Sequence, residues 1–296
     1  MTTVTIVGLV VLASALYALR WRHVRTLTTF VASRAPLGPD GIVIGAEGFV
    51  LARPGAPATL LLHGAGDTPQ TLRYLADRLF ERGYHVEAPL LPGHGRTPAA
   101  FARLRADDLT DAANVHYARL RERHEWVGVV GLSMGGALAV QVAATAPELP
   151  ALGLVAPYLA MPPAIERAAA LSWIWGPIVP LVRSGDGLSV LDPSERQRSL
   201  AYGVFTPAAL RALRETVHRA AAALPRVMAP TLVVNSRGDN RITMRDAEAA
   251  FARLGADEKR LEWIEGAAHV ITVDYGREKV FDMLADWMDS HRAVSS

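Results

Sequence analysis

The 296-residue chain carries 31 basic and 29 acidic residues and no cysteine, with half of its residues hydrophobic and a fifth charged. That balance excludes a disordered chain, and the lack of cysteine excludes disulfides, cysteine-ligated zinc, iron–sulfur clusters and a thiol nucleophile. The sequence pI of about 9.1 comes from arginines scattered among acids, with no basic run to track a phosphate backbone, so nucleic-acid binding is excluded as well.

Residues 1–19 contain no charged side chain, and Val4 to Leu19 is almost wholly apolar before Arg20-Trp-Arg-His-Val-Arg25 begins. At about 1.5 Å per residue such a run just crosses a bilayer if Trp21 and the arginines settle at the interface. Residues 1–25 therefore read as an apolar anchor or signal segment, with membrane contact through residues 1–21. A cleaved secretory signal stays open on Ala13-Ser-Ala15, although a signal carries its positive charge before the apolar core, not after it. A buried helix of a soluble protein is the third reading. Arginines behind the run keep the remainder of a membrane-anchored chain in the cytoplasm; cleavage would make it a secreted protein.

Residues 26–40 are polar, with proline and glycine, and are expected to be a linker to a folded domain spanning 41–296. Ile42 to Ile44 and Phe49 to Leu51 look like the strands of an antiparallel hairpin. Thr59 to Leu62 reads as a buried strand, and the glycines of His63-Gly-Ala-Gly66 leave backbone N–H groups exposed at its carboxyl end, where they can face a ligand oxygen. Apolar spacing predicts a helix over 71–82, and a strand follows over 84–88, ending in the turn Pro89-Leu-Leu-Pro-Gly-His-Gly95. An amphipathic helix is predicted over 106–124.

The valine-rich run from Trp126 to Leu132 predicts a buried strand and Ala137 to Ala144 a helix, so Gly131-Leu-Ser133-Met-Gly135 occupies the turn between them. Strands alternating with helices predict an α/β fold with a mainly parallel sheet covered on both faces. After another strand at 151–156 the alternation stops. Residues 157–230 hold helix-like pieces and no clear strand, which predicts a helical cap; its segment Leu171 to Val182 suits core packing or the wall of an apolar pocket. The sheet resumes at Thr231 to Val234, followed by a helix over 243–254, a strand over 260–264 and a closing helix over 276–291.

A sharp strand-to-helix reversal holds Ser133 clear of the sheet at a helix amino end, where N–H groups and the helix dipole favour negative charge. A serine hydroxyl needs a base, and the base needs a carboxylate to fix its tautomer. His269 and Asp239 follow late strands, which brings them to the same sheet edge in the order Ser, Asp, His. Asp246 and Asp274 are weaker candidates for the acid. His94 precedes the elbow in a proline-glycine turn and reads as structural. The backbone N–H groups of Met134 and Ala65 are the expected oxyanion donors. No cofactor or metal is called for.

Together, His63-Gly-Ala-Gly66, Pro92-Gly-His-Gly95, Gly131-Leu-Ser-Met-Gly135, Arg237-Gly-Asp239 and Gly266-x-x-His-Val-Ile271 resemble the α/β-hydrolase superfamily. Over residues 41–291 the chain is most similar to its bacterial carboxylesterase and monoacylglycerol lipase group, although Ala65 is smaller than the apolar residue often found there. The resemblance implies a Ser133-His269-Asp239 triad, an oxyanion hole from the Ala65 and Met134 amides, and a cap that admits acyl chains. The expected reaction is hydrolysis of an uncharged carboxylic ester with an apolar acyl chain through an acyl-enzyme. Acyl transfer, C–C bond hydrolysis, and an anchored binding protein without turnover remain as alternatives; epoxide hydrolysis and dehalogenation need an aspartate where this chain has Ser133.

Overall fold

The computed structural model describes residues 3–34, 36–184 and 188–292. The outer ends of the anchor and domain ranges, position 35 of the linker and positions 185–187 of the cap lie outside the described residues.

Nine strands and eleven α-helices follow one another in the described chain. Helix α1 (Thr3–Arg34) leads to β1 (Phe49–Leu51), β2 (Ala58–Leu62), α2 (Arg73–Glu81), β3 (His85–Ala88), α3 (Pro98–Phe101) and α4 (Ala106–Arg121). Next come β4 (Val127–Leu132), α5 (Met134–Thr145), β5 (Leu152–Val155), α6 (Pro163–Ala170), α7 (Ser172–Trp175), β6 (Val182–Arg183), α8 (Pro193–Arg198), β7 (Val204–Phe205) and α9 (Pro207–Ala223). The chain closes with β8 (Thr231–Ser236), α10 (Met244–Ala252), β9 (Lys259–Ile264) and α11 (Arg277–Ser290).

Seven strands form one sheet in the order β1-β3-β2-β4-β5-β8-β9, parallel throughout except for β1, which runs antiparallel to β3. All six residues of β4 are buried, which is why that strand is a continuous valine and glycine run without alternation. On one face, α2 and α11 bury Leu75, Leu79, Phe281 and Leu284 against the sheet, with Leu72 just ahead of α2. On the other, α4, α5 and α9 pack Leu109, Leu120, Leu138, Val142 and Val217 into the larger core.

Three expectations need correction. Ile42 to Ile44 does not pair with Phe49 to Leu51: β1 pairs with β3, and Val43 makes a single bridge to Leu37. Residues 157–230 do contain strands, the two-residue ribbon β6–β7, and their last helix α9 packs on α4 and α5. Residues 26–34, read as linker from their polar composition, continue α1, because His23, Leu27, Phe30 and Val31 share one face of the helix. Leu27 and Val31 are buried in the larger core, and the His23 Nε2–H donates to the Leu181 carbonyl at 2.7 Å.

Candidate functional site

The site is built at the carboxyl edge of the sheet, where β4 and β8, on either side of β5, and β9 beyond β8 all end. Ser133 directly follows β4 with φ 55° and ψ −116°, a conformation that a residue with a side chain seldom adopts. Its neighbours make that corner possible. A Cβ on Gly131 would lie 2.2 Å from the Gly135 carbonyl oxygen, and one on Gly135 would lie 1.9 Å from that of Leu62, so no residue but glycine fits either position. The Ser133 backbone is fixed from both sides, its N–H donating to Val155 O at 2.9 Å and its carbonyl accepting from Tyr158 N–H at 3.0 Å.

The loops after β8 and β9 touch through Gly238, where a Cβ would lie 2.6 Å from the Ala267 carbonyl oxygen. This close approach brings Asp239, three residues past β8, to His269, five past β9. Asp239 Oδ2 accepts from His269 Nδ1–H at 2.8 Å, and Ser133 Oγ–H donates to His269 Nε2 at 2.8 Å. Asp239 Oδ1 accepts from the N–H groups of Arg241 (2.7 Å) and Ile242 (3.0 Å), which fixes the carboxylate in orientation. Because an ionised carboxylate only accepts, His269 must carry its proton on Nδ1, and Nε2 is free to take one from the serine. The side chains of His269 and Asp239 are 8 % and 1 % exposed, so the hydrogen bond between them is buried.

The weaker candidates are committed elsewhere. Asp274 accepts backbone N–H groups from Leu191 and Asp192 at 2.9 Å each, and from Ala268 and Tyr275, which ties the segment before α8 to the loop bearing His269. Asp246 accepts from the Thr243 hydroxyl that caps α10. His94 is fully buried, its ring edge-on to those of His63 and Phe101, and burial pushes its pKa down to about 4. His63, held well below the usual histidine range by burial, is a neutral strut: its Nε2 accepts from Leu91 N–H at 3.1 Å and its Nδ1–H donates to Gly64 O at 2.9 Å. It binds the loop after β2 to the turn after β3.

Met134 opens α5, so its N–H is among those a helix leaves without an internal acceptor, and Ala65 lines the cavity beside Ser133. That cavity has a volume of about 890 Å³. Ser133 and His269 form part of its wall, and Ile165, Trp175, Val179, Phe205, Leu213 and Val270 contribute apolar surface. Two further lining residues escaped the sequence reading. Asp67, almost fully buried, accepts from Thr71 Oγ1 at 2.7 Å, and burial raises its carboxyl to about 6. Phe30 comes from the presumed linker, and its only sequence signal is helical spacing with Leu27 and Val31. Among the described residues no group of three or more His, Cys, Asp or Glu side chains is disposed to hold a metal ion.

A serine, an imidazole and a carboxylate in one hydrogen-bonded line on an elbow after a central parallel strand define a serine hydrolase with the α/β-hydrolase fold. Residues 56–275 match the family described as serine aminopeptidase, S33, and the chain belongs to that family. It is 27% identical over 250 residues to the thermostable monoacylglycerol lipase of Bacillus sp. (strain H-257), covering 84% of this chain and 97% of the relative. It is also 27% identical over 237 residues to a carboxylesterase of Bacillus subtilis (strain 168), covering 79% of this chain and 93% of that one. A solved structure of the metagenome-derived lipolytic enzymes LipS and LipT superposes with a TM-score of 0.76 at 30% identity, over 83% of this chain and 98% of the other. The Paleococcus ferrophilus monoacylglycerol lipase shares the fold, with a TM-score of 0.71 at 22% identity over 83% and 99% of the two chains.

Proposed function

We propose that the protein hydrolyses an uncharged carboxylic ester with an apolar acyl chain, of the monoacylglycerol type, through an acyl-enzyme on Ser133. The observation that carries this reading is the unbroken line from Ser133 Oγ through His269 to Asp239 at the wall of a large apolar cavity. The names of the Bacillus relatives support the same bond type.

In the first half-reaction His269 Nε2 takes the Ser133 proton as Oγ attacks the acyl carbon, and Asp239 stabilises the imidazolium. The oxyanion accepts from the Met134 and Ala65 N–H groups, each worth roughly 3–4 kcal/mol to such a transition state. Collapse expels the alcohol, which takes its proton from His269. In the second half-reaction His269 deprotonates a water that attacks the acyl carbon, and Ser133 recovers its proton as the acid leaves.

Ser133→Ala should abolish turnover of p-nitrophenyl esters and monoacylglycerols with the fold intact. Retained turnover overturns the reading. Adding an alcohol acceptor separates transfer from hydrolysis, since a transferase would yield mainly the new ester.

We further infer that α1 is retained as a membrane helix with the catalytic domain on the cytoplasmic side. Helix α1 contains a stretch long and apolar enough to cross a bilayer, and the side chains from Ile6 to Leu19, ahead of the part that packs on the domain, include a run of exposed large hydrophobics. Arg20, Arg22 and Arg25 follow that run, the last stacked 5.0 Å from the Trp21 ring, as suits an interface. Trp173, Ile174 and Ile178 are exposed on the cap, in the segment leading to Leu181, whose carbonyl accepts from His23. Full-length protein should stay with membranes through alkaline carbonate; release with residues 1–19 still attached contradicts the anchor.

A further inference from the structure

The cavity beside Ser133 has a wall that neither the sheet nor the cap supplies. Helix α1 presents His23, Leu27, Phe30 and Val31 along one face, while Arg22, Thr26, Thr29 and Ser33 along the adjoining side are exposed. Leu27 and Val31 are buried in the larger core; Phe30 is half-buried and lines the cavity. Burial of Leu27 and Val31 removes apolar surface from water and holds this end of the helix against the domain. Two contacts set its position against the ribbon. The His23 Nε2–H donates to Leu181 O at 2.7 Å, and the Arg183 guanidinium stacks over the Phe30 ring with its carbon 5.0 Å from the ring centre. Val182 and Arg183 line the same cavity as Phe30, so the helix and the ribbon close one side of it together.

We propose that α1 is part of the substrate site, with Phe30 as a specificity-determining residue that contacts the acyl chain of long esters. This inference rests on the ester-hydrolase reading above. A short acyl group ends close to Ser133, whereas a long one runs along the apolar wall and meets the Phe30 ring. The ring adds contact surface in the ground state and the transition state alike, so its loss raises KM and leaves kcat nearly unchanged.

The test compares wild type, Phe30→Ala and Phe30→Leu on p-nitrophenyl butyrate and p-nitrophenyl laurate. For Phe30→Ala, kcat/KM on laurate should fall about tenfold or more through KM, the size expected when apolar pocket contact is removed. Butyrate should stay within twofold, and Phe30→Leu should restore much of the laurate rate. An equal loss on both esters, or no loss on either, overturns the proposal. If wild type turns over neither ester, the ester reading itself fails. A second measurement uses the absence of cysteine from the chain. In Phe30→Cys a thiol reagent has one target, and phosphonylation of Ser133 by a long-chain fluorophosphonate, with loss of fluoride, should slow its modification while an ethyl fluorophosphonate should not. Equal modification rates after the two probes contradict contact between Phe30 and the chain.

Discussion

Replacing Asp239 by asparagine separates orientation from charge in the proposed relay. The amide has two ways to sit. With its oxygen in the place of Oδ1 it keeps the N–H bonds from Arg241 and Ile242, and its NH2 group then donates to His269 Nδ1. That bond forces the imidazole proton onto Nε2, where it faces Ser133 and cannot accept. With the amide turned over, the correct tautomer returns, but the NH2 group meets two backbone donors and leaves both unsatisfied. Each such loss costs about 1–3 kcal/mol, so the first orientation is favoured by roughly 2–6 kcal/mol. The inactive tautomer therefore dominates, and kcat should fall about 10⁴-fold, equivalent to about 5.5 kcal/mol, as in a comparable relay. The assay is ester turnover beside a thermal melt, and the melt should stay close to that of wild type because the two loop N–H bonds persist. A folded Asp239→Asn enzyme within tenfold of wild type would refute the tautomer argument.

Further predictions follow from the elbow and from Asp67. In Gly135→Ala the new Cβ would lie 1.9 Å from the Leu62 carbonyl oxygen, so the elbow must shift. Overpacking against backbone should cost at least about 3 kcal/mol and abolish turnover, read as a lower Tm and loss of activity; unchanged values of both contradict the packing account. The Asp67 carboxyl is raised by burial from 3.8 to about 6, so the folded protein holds this proton more tightly than the unfolded chain does. Its contribution to stability is full below pH ~4 and is lost as pH rises through ~6, by up to about 3 kcal/mol. Asp67→Asn removes that dependence, and its Tm relative to wild type should climb by several degrees between pH 4 and pH 7.5. A constant difference across that range contradicts the raised value.

The elements legible in the sequence are those whose signal is local and whose partners are dictated by chain order. The glycine pair around Ser133 can serve only a turn too tight for a Cβ, and three parallel strands ending at one edge leave Ser133, Asp239 and His269 little choice of neighbours. What commits Asp246 and Asp274 elsewhere shows only in the fold: Asp246 accepts from the Thr243 hydroxyl at the start of α10, and the four backbone N–H groups gathered by Asp274 come from residues 191, 192, 268 and 275 and leave no local mark. Illegible elements depend on distant pairing. Whether Phe49 to Leu51 pairs with Ile42 to Ile44 or with His85 to Ala88 is a choice among apolar partners that only the assembled sheet makes. The two-residue strands of the ribbon are too short for any alternation to register. In residues 26–34 the threonines and serine on the outer face dominate the composition, and the buried stripe of Leu27, Phe30 and Val31 shows only when the segment is read as a continuation of the helix before it.

The account turns on Ser133 being an activated nucleophile, and the most direct measurement is the intact mass of the protein after exposure to a fluorophosphonate, with peptide mapping of the adduct. One adduct per chain is expected, on Ser133, absent in Ser133→Ala and formed far more slowly in His269→Ala. No adduct on folded wild-type protein, or one that survives Ser133→Ala unchanged, would contradict it.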